Sequence, residues 1–232
     1  MSDLDKHAVQ VIDVGLKPYQ EVLAVQEELF NKNLAAKETG VATSNYLILC
    51  QHPPVFTLGK SGKRENILVS DADLNAEFYH VNRGGDVTFH GPGQLVGYPI
   101  LDLESIGIGL AQYILQIEET IIASLSPYHL QGERIENAAG IWLRNNKGIP
   151  HDRKIGAIGV KASRNVTMHG LAVNINTDLS FFDKIVPCGL EDKGVTSLQK
   201  ELKREVSFNE YKSNFLLSFM QVFKCQEVSI AN

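Results

Sequence analysis

Residues 83–94 read RGGDVTFHGPGQ, which packs four glycines, a proline, Arg83 and His90 into twelve residues. Glycine lets a backbone take positive φ and pass close to a ligand, so the stretch is expected to wrap something tightly, with Arg83, Asp86 and His90 supplying polarity. It joins two segments that read as strands, FYHVNRG (78–84) and QLVGYPILDL (94–103). The GxGxxG spacing of a dinucleotide site and the GxxxxGK[ST] of a phosphate loop are both absent. A glycine-rich hairpin turn with a satisfied histidine is the plain alternative.

The flanking chain mixes strands and helices. HAVQVIDVG (7–15) reads as a strand, and PYQEVLAVQEELFNKNLAAKETG as a helix with Pro18 in its first turn and Gly40 as its stop. NYLILC (45–50) is a short apolar strand, and QHPPVFTLGKSGK after it is expected to be loop. Leu110, Ile114, Ile117, Ile121 and Leu125 recur with the helical period over 108–125. GIWLRNNKG with KIGAIGVKAS predicts two strands around a polar connection, and VTMHGLAVNI continues the sheet. Ser207 and Glu210 have the spacing of a capping box at the head of a last helix reaching Phe223, with Phe208, Tyr211, Phe215 and Phe219 on its buried face. The class is α+β, or a mixed-sheet α/β variant with many antiparallel strands. No repeat or linker divides the chain, so 1–232 is expected to be a single domain.

A net charge of −5 argues against general nucleic-acid affinity. Lys60, Lys63 and Arg64 cluster, as do Arg153, Lys154, Lys161 and Arg164; both groups read as solvated faces or as docking patches for an acidic partner. The three cysteines, at 50, 188 and 225, make neither a CxxC pair nor an even disulfide set, which points to a reducing compartment. The N-terminus lacks a signal-peptide core, and no apolar run approaches membrane-spanning length. A cytoplasmic protein without a membrane segment is expected.

Cys188 stands in KIVPCGL (184–190), between Pro187 and Gly189. Cysteine is usually a buried small hydrophobe; here the choice lies between a presented nucleophile and a small residue in a tight bend. Cys50 ends an apolar strand and reads as core, and Cys225 carries no motif.

RGGDVTFHGPGQLVGYPILDL, AGIW, KIGAIGVK, HGLAVN and PCG followed by VTSL occur in that order. Together they resemble the octanoyltransferase (lipoyl/octanoyl protein transferase) family of lipoate biosynthesis, from about residue 8 to about residue 225. The resemblance implies a biotin/lipoate protein ligase-like fold of mixed β-sheets flanked by helices. It implies transfer of an octanoyl (or lipoyl) group from acyl carrier protein to a lysine of lipoyl domains, on 2-oxoacid dehydrogenase E2 subunits or the glycine-cleavage H protein. Octanoyl acyl carrier protein is thus the expected donor and lipoyl-domain proteins the acceptors, with no cofactor, no metal and, by default, a monomer. In the family pattern Cys188 carries the acyl group as a thioester and Lys154 raises its thiolate fraction and shuttles protons. The residues alone do not choose that lysine, because Lys147, Lys161, Lys184 and Lys193 compete. The family pattern assigns substrate contacts to Arg83, Gly84, Gly85, Asp86, Val87, Thr88, Phe89 and His90, to Ala157, Ile158 and Gly159, and to Gly170, Leu171 and Ala172. Gly156, Ala157, Gly159, Gly170 and Ala172 are small residues on strand-like segments, which leaves room for an acyl chain. Backbone N–H groups among the glycines are candidates for an oxyanion hole, and His90 and His169 either organise the pocket or move protons. Phe89 departs from the family's common tyrosine.

Three rival readings stand beside this one, of which a non-catalytic carrier-binding module would not need the Cys–Lys pair. An ATP-dependent lipoate or biotin ligase shares the fold but needs no cysteine, so PCG favours the transferase. A metal site built from Cys188 with His52, His90, His151 or His169 has no ligand spacing to support it.

Overall fold

The computed structural model describes residues 7–70, 73–136, 138–144, 152–186 and 194–228. It opens with β1 (His7–Leu16) and the 21-residue helix α1 (Tyr19–Thr39). Pro18 leads into the helix, and Gly40 ends it at φ 70°, a left-handed conformation that glycine adopts without steric cost. α1 buries a stripe of Val22, Gln26, Phe30 and Asn33. β2 (Tyr46–Gln51) runs parallel to β1, so α1 is the crossover between them.

β3 (Val55–Leu58), β4 (Glu77–His80) and β5 (Val87–His90) form a small separate sheet in the order β4-β3-β5. The segment expected to be loop therefore contains its central strand. The four residues of β3 are all buried; a strand buried on both faces shows no alternation, and the flanking Pro-Pro and Gly disguised it. The strand expected over 78–84 ends at His80, and 81–86 bends instead.

The remaining elements are β6 (Gln94–Ile100), α2 (Leu110–Leu125), β7 (Glu133–Ile135), β8 (Ala138–Leu143), β9 (Arg153–Ser163) and β10 (Val166–Asn174). They are followed by β11 (Gly194–Val195), α3 (Leu198–Leu202), α4 (Phe208–Val222) and β12 (Cys225–Val228). The large sheet is ordered β12-β1-β2-β6-β10-β9-β8-β7, with β11 parallel to β9. It is mixed: β12, β1 and β2 are parallel, and every step from β2 to β7 is antiparallel. The architecture is α+β, as expected.

Helices cover both faces of this sheet. Leu47 and Leu49 of β2 point into a core shared with Ile117 and Ile121 of α2 and with Tyr211, Phe215 and Phe219 of α4. Ile48 and Cys50, one residue out of phase, face Val22 and Phe30 of α1. Burying such a side chain contributes about 1.5–3 kcal/mol. The buried stripe of α2 starts at Tyr113, because Leu110 is 45% exposed. Ser207 caps α4 by accepting the Glu210 N–H at 3.3 Å. Phe56, Leu58, Val87 and Phe89 of the small sheet make a third core with Ile67, Leu74 and Ile185. Among the described residues no helix is long and apolar enough to cross a membrane.

Candidate active site

A cleft of about 870 Å³, open mouth included, lies between the 83–90 segment and the face of β6, β10 and β9 that also meets α1. Its wall is mostly apolar. Its floor is a tile of four small residues. Ala157 pairs across the strands with Ala172, and Gly159 with Gly170, and all four line the cleft together with Ile158 and Leu171.

The small residues do not all serve to leave space, as the sequence reading expected. A Cβ on Gly170 would lie 2.2 Å from the Gly97 carbonyl oxygen, so that glycine allows β10 to pack on β6. A Cβ on Gly159 would meet the Gly84 carbonyl at 3.0 Å and the Arg83 side chain at 3.1 Å, and one on Gly156 would press on Ile121 of α2. Gly156 does not line the cleft. Ala157 and Ala172 are the residues whose size sets the depth of the floor.

The glycine-rich bend is held by its own charges. Arg83, 8% exposed, donates to the carbonyls of Gly84, Thr57 and Asp86 and to the Thr57 hydroxyl at 2.8–2.9 Å. Asp86 accepts from the Val87 N–H at 2.6 Å and from the Asn66 side chain. Gly84 donates its N–H to Val160 at 2.8 Å, which lays the bend on β9, and Gly85 turns it at φ 84°. Arg83, Gly85, Asp86, Val87, Thr88 and His90 line the cleft; Gly84 and Phe89 do not. Phe89 stacks on Phe181 with ring centroids 4.4 Å apart, inside the small-sheet core. Its Cζ lies where a Cβ on Gly91 would come within 2.6 Å.

Two histidines stand in the wall, and both are held neutral. Burial, with His52 close by, pulls His90 down to about 3. Burial beside Arg83 and Lys161 lowers His169 to about 4. His169 takes φ 57° inside β10, a conformation uncommon for a side chain of its size. Gln26 of α1 accepts its backbone N–H at 3.1 Å, while its Nδ1 is buried without a partner. His52 donates Nδ1–H to the Lys17 carbonyl at 2.8 Å, so its Nε2 accepts from the Tyr98 hydroxyl at 2.8 Å. Burial raises Tyr19, at the start of α1, to about 12. Tyr19 and Tyr98 therefore stay protonated phenols in the wall.

Lys154 lines the cleft, 7% exposed, with Nζ 4.7 Å from the centroid of a Trp142 ring. Lys154 and Ala157 both reach the cleft although they are three residues apart, which regular alternation forbids. The register of β8 on β9 shifts between Ile141 and Trp142, and this irregularity supplies the extra residue. Gly140, at φ 110°, faces it; a Cβ there would lie 2.4 Å from the Gly156 carbonyl. Of the competing lysines, Lys161 lies over Phe30 and Lys184 donates to the carbonyls of Asp73 and Leu74. Lys147 and Lys193 lie outside the described residues.

Cys188 also lies outside the described residues, within 187–193. The chain on either side is tied down. Val186 donates its N–H to the Asn66 carbonyl at 2.8 Å, and Gly194 and Val195 pair with Arg153 and Lys154. Phe182 and Val195 both line the cleft. Burial pushes the thiol of Cys50 up, and that of Cys225 up to about 12. Neither described cysteine is poised as a thiolate.

The second basic cluster is not a patch. Arg153 is buried in a pair with Glu201 at 2.6 Å, Lys154 faces the cleft, Lys161 covers Phe30 and Arg164 pairs with Glu38. Sequence reasoning missed Tyr19, Gln94, Tyr98, Ala139, Asn174, Phe182 and Val195 in the wall. Gln94 and Asn174 left a trace as polar residues closing the HGPGQ and HGLAVN blocks; Tyr19 left none. Among the described residues no group of three or more His, Cys, Asp or Glu side chains could hold a metal ion.

The fold and cleft define a class that the comparisons name. Residues 18–220 match the lipoyl protein ligase A/B catalytic domain. A chain of the archaeal lipoylation system of Thermoplasma acidophilum, a bi-partite lipoate protein ligase with its E2 lipoyl domain, superposes with a TM-score of 0.67. It is 14% identical, covering 98% of this chain and 88% of its own, a likeness of fold alone. An octanoyltransferase of Parabacteroides distasonis is 52% identical over 215 residues, 91% of this chain and 96% of that protein. One from Christiangramia forsetii is 45% identical over 228 residues, 94% and 97% of the two. The chain belongs to the octanoyltransferase family within the lipoyl protein ligase A/B catalytic domains.

Proposed function

We propose that the chain transfers an octanoyl (or lipoyl) group from the thioester of acyl carrier protein to a lysine of lipoyl-domain proteins, through a thioester on Cys188. The observation that carries this reading is a buried lysine, Lys154, in a mostly apolar cleft that is also lined by Phe182 and Val195. The near full-length likeness to relatives called octanoyltransferase supports the acyl group.

In the first step the Cys188 thiolate attacks the donor carbonyl, the C–S bond to the carrier breaks, and the carrier thiol leaves with a proton. Free cysteine titrates near about 8.5, and the Lys154 ammonium would favour the thiolate at neutral pH. In the second step the acceptor amine attacks the Cys188 thioester, loses a proton, and the thiolate departs. Thioester exchange is near balance and amide formation runs downhill, so the sequence of steps needs no ATP. We place the reaction in the cytoplasm, which suits the buried, unpaired Cys50 and Cys225, and assign it to a single monomeric domain.

Intact-mass analysis after mixing with octanoyl carrier protein, without ATP, tests the reading. One octanoyl adduct, removed by hydroxylamine, is expected on the unaltered chain and not on Cys188→Ser. The same labile adduct on the variant would exclude Cys188. Acylation that requires free octanoate and ATP would favour the ligase reading.

A further inference from the structure

Four buried groups form one directional hydrogen-bond relay between β11 and the glycine-rich bend. The Thr196 backbone carbonyl accepts from the Asn174 side-chain amide at 3.0 Å. A carbonyl only accepts, so this contact decides which end of the Asn174 amide faces Thr196 and turns Oδ1 the other way. Oδ1 accepts from Gln94 Nε2 at 2.8 Å, and the same nitrogen gives its other hydrogen to the Phe89 carbonyl at 3.1 Å. Gln94 Oε1 is left facing His90 Nδ1 at 2.7 Å. An amide oxygen cannot donate, so Nδ1 carries the imidazole proton and Nε2 keeps its lone pair.

The relay spans the site. Gln94 and Asn174 sit directly opposite each other on β6 and β10. Thr196 donates its own N–H to the Lys154 carbonyl at 2.9 Å, and Thr196 follows the strand by which the chain returns from 187–193. We propose that Asn174 is a positioning residue of the transfer site: through Gln94 it sets the tautomer of His90, while through Thr196 it pins the end of β11 beside Lys154. His90 is thereby an acceptor only. It can take an N–H or S–H from a substrate or nucleophile, but it has no proton to give to the thioester oxygen, so the oxyanion falls to other donors. The groups facing His90 are Arg83 from the bend, His52 after β2, His169 from β10 and the Tyr19 ring from α1. Arg83 and the two imidazoles oppose a second proton on the ring.

The kinetic side of this proposal rests on the octanoyl-transfer reading; the tautomer does not. Nitrogen-15 NMR of the imidazoles in the full chain, with His90 assigned by its loss in His90→Gln, reads the tautomer without substrate. His90 is expected as Nδ1–H, unchanged from about pH 7.5 to about pH 5.5. Gln94→Glu puts a carboxylate on Nδ1 and is expected to bring the His90 titration into that window, adding a limb to the pH–rate profile. Asn174→Asp keeps an acceptor for Gln94 but replaces the donor to Thr196 by an acceptor; the Nδ1–H tautomer is expected to hold, with kcat down about tenfold or more and KM for the donor within about threefold. An Nε2–H tautomer in the unaltered chain overturns the proposal outright. So do variants that keep the tautomer, the pH profile and kcat. Absence of octanoyl transfer by the unaltered chain rejects the reaction instead, and the tautomer then judges the relay alone.

Discussion

Lys154 is a side chain that composition treats as a surface charge, yet it stands 7% exposed in a mostly apolar wall. Attraction to an aromatic face such as Trp142 is worth about 0.5–2 kcal/mol. In Lys154→Ala the first acylation step is expected to slow by about 10²–10⁴-fold at neutral pH. The loss should shrink as pH rises towards the intrinsic cysteine value, where thiolate forms without help. Single-turnover acylation across pH checks this, and a loss that stays constant with pH would remove Lys154 from thiolate control. At this scale the chain was legible through its motifs. KIGAIG marked Lys154 and PCG marked Cys188 by resemblance, whereas Tyr19 and Tyr98 carried no motif because only the fold brings α1 and β6 to the cleft.

Among the elements, β9 does the most to shape the site. The register shift opposite Ile141 and Trp142 puts Lys154 and Ala157 on the same face, and the strand then offers Ala157 and Gly159 beside Ala172 and Gly170. Enlarging the alanine floor should shorten the chain the cleft accepts. Ala157→Leu is expected to lower octanoyl transfer relative to butyryl transfer, each methylene being worth about 1–3 kcal/mol in such a pocket. Competition between the two carriers gives the ratio directly; an unchanged ratio would show that the acyl chain lies elsewhere. Small residues were visible in the sequence, but their separate duties were not. Gly170 and Gly159 answer to backbone and Arg83 contacts from segments distant in the chain, so the effect on chain length is expected at Ala157 and Ala172, the alanines that line the cleft beside them.

For the molecule as a whole, the buried neutral histidines predict acid sensitivity. His52, His90 and His169 all titrate below the usual histidine value when folded. Their contribution is complete above about pH 6.5 and is lost as pH falls towards the folded values, because the unfolded chain binds those protons first. Each adds at most about 1.4 kcal/mol per pH unit in that window. Urea midpoints are expected to drop between about pH 6.5 and about pH 5, before the lowered carboxylates Glu201 and Asp178 protonate. A flat profile there would mean the rings are hydrated. The surface makes its own prediction. Lys60, Lys63 and Arg64 are exposed on a loop whose backbone bonds to Arg83 and Gly85 at the cleft. Reversing the charge of all three is expected to raise KM for an acidic carrier about tenfold at low salt, with kcat nearly intact. An unchanged KM excludes that loop as the landing site.

By itself the sequence determined the α+β class, most helices and strands, and the order of motif blocks that marks the family. These follow from local periodicity, caps and turn residues, or from strings of residues readable without a partner strand. Tertiary structure alone decided that VFTL is a central strand, that the second basic cluster is dismantled into a buried ion pair, an aromatic contact and a cleft lysine, and that Gln94 and Asn174 set the state of His90. Each depends on which distant backbone lies opposite. Strand register and amide orientation are fixed by partners across the sheet, and no spacing along one strand contains them.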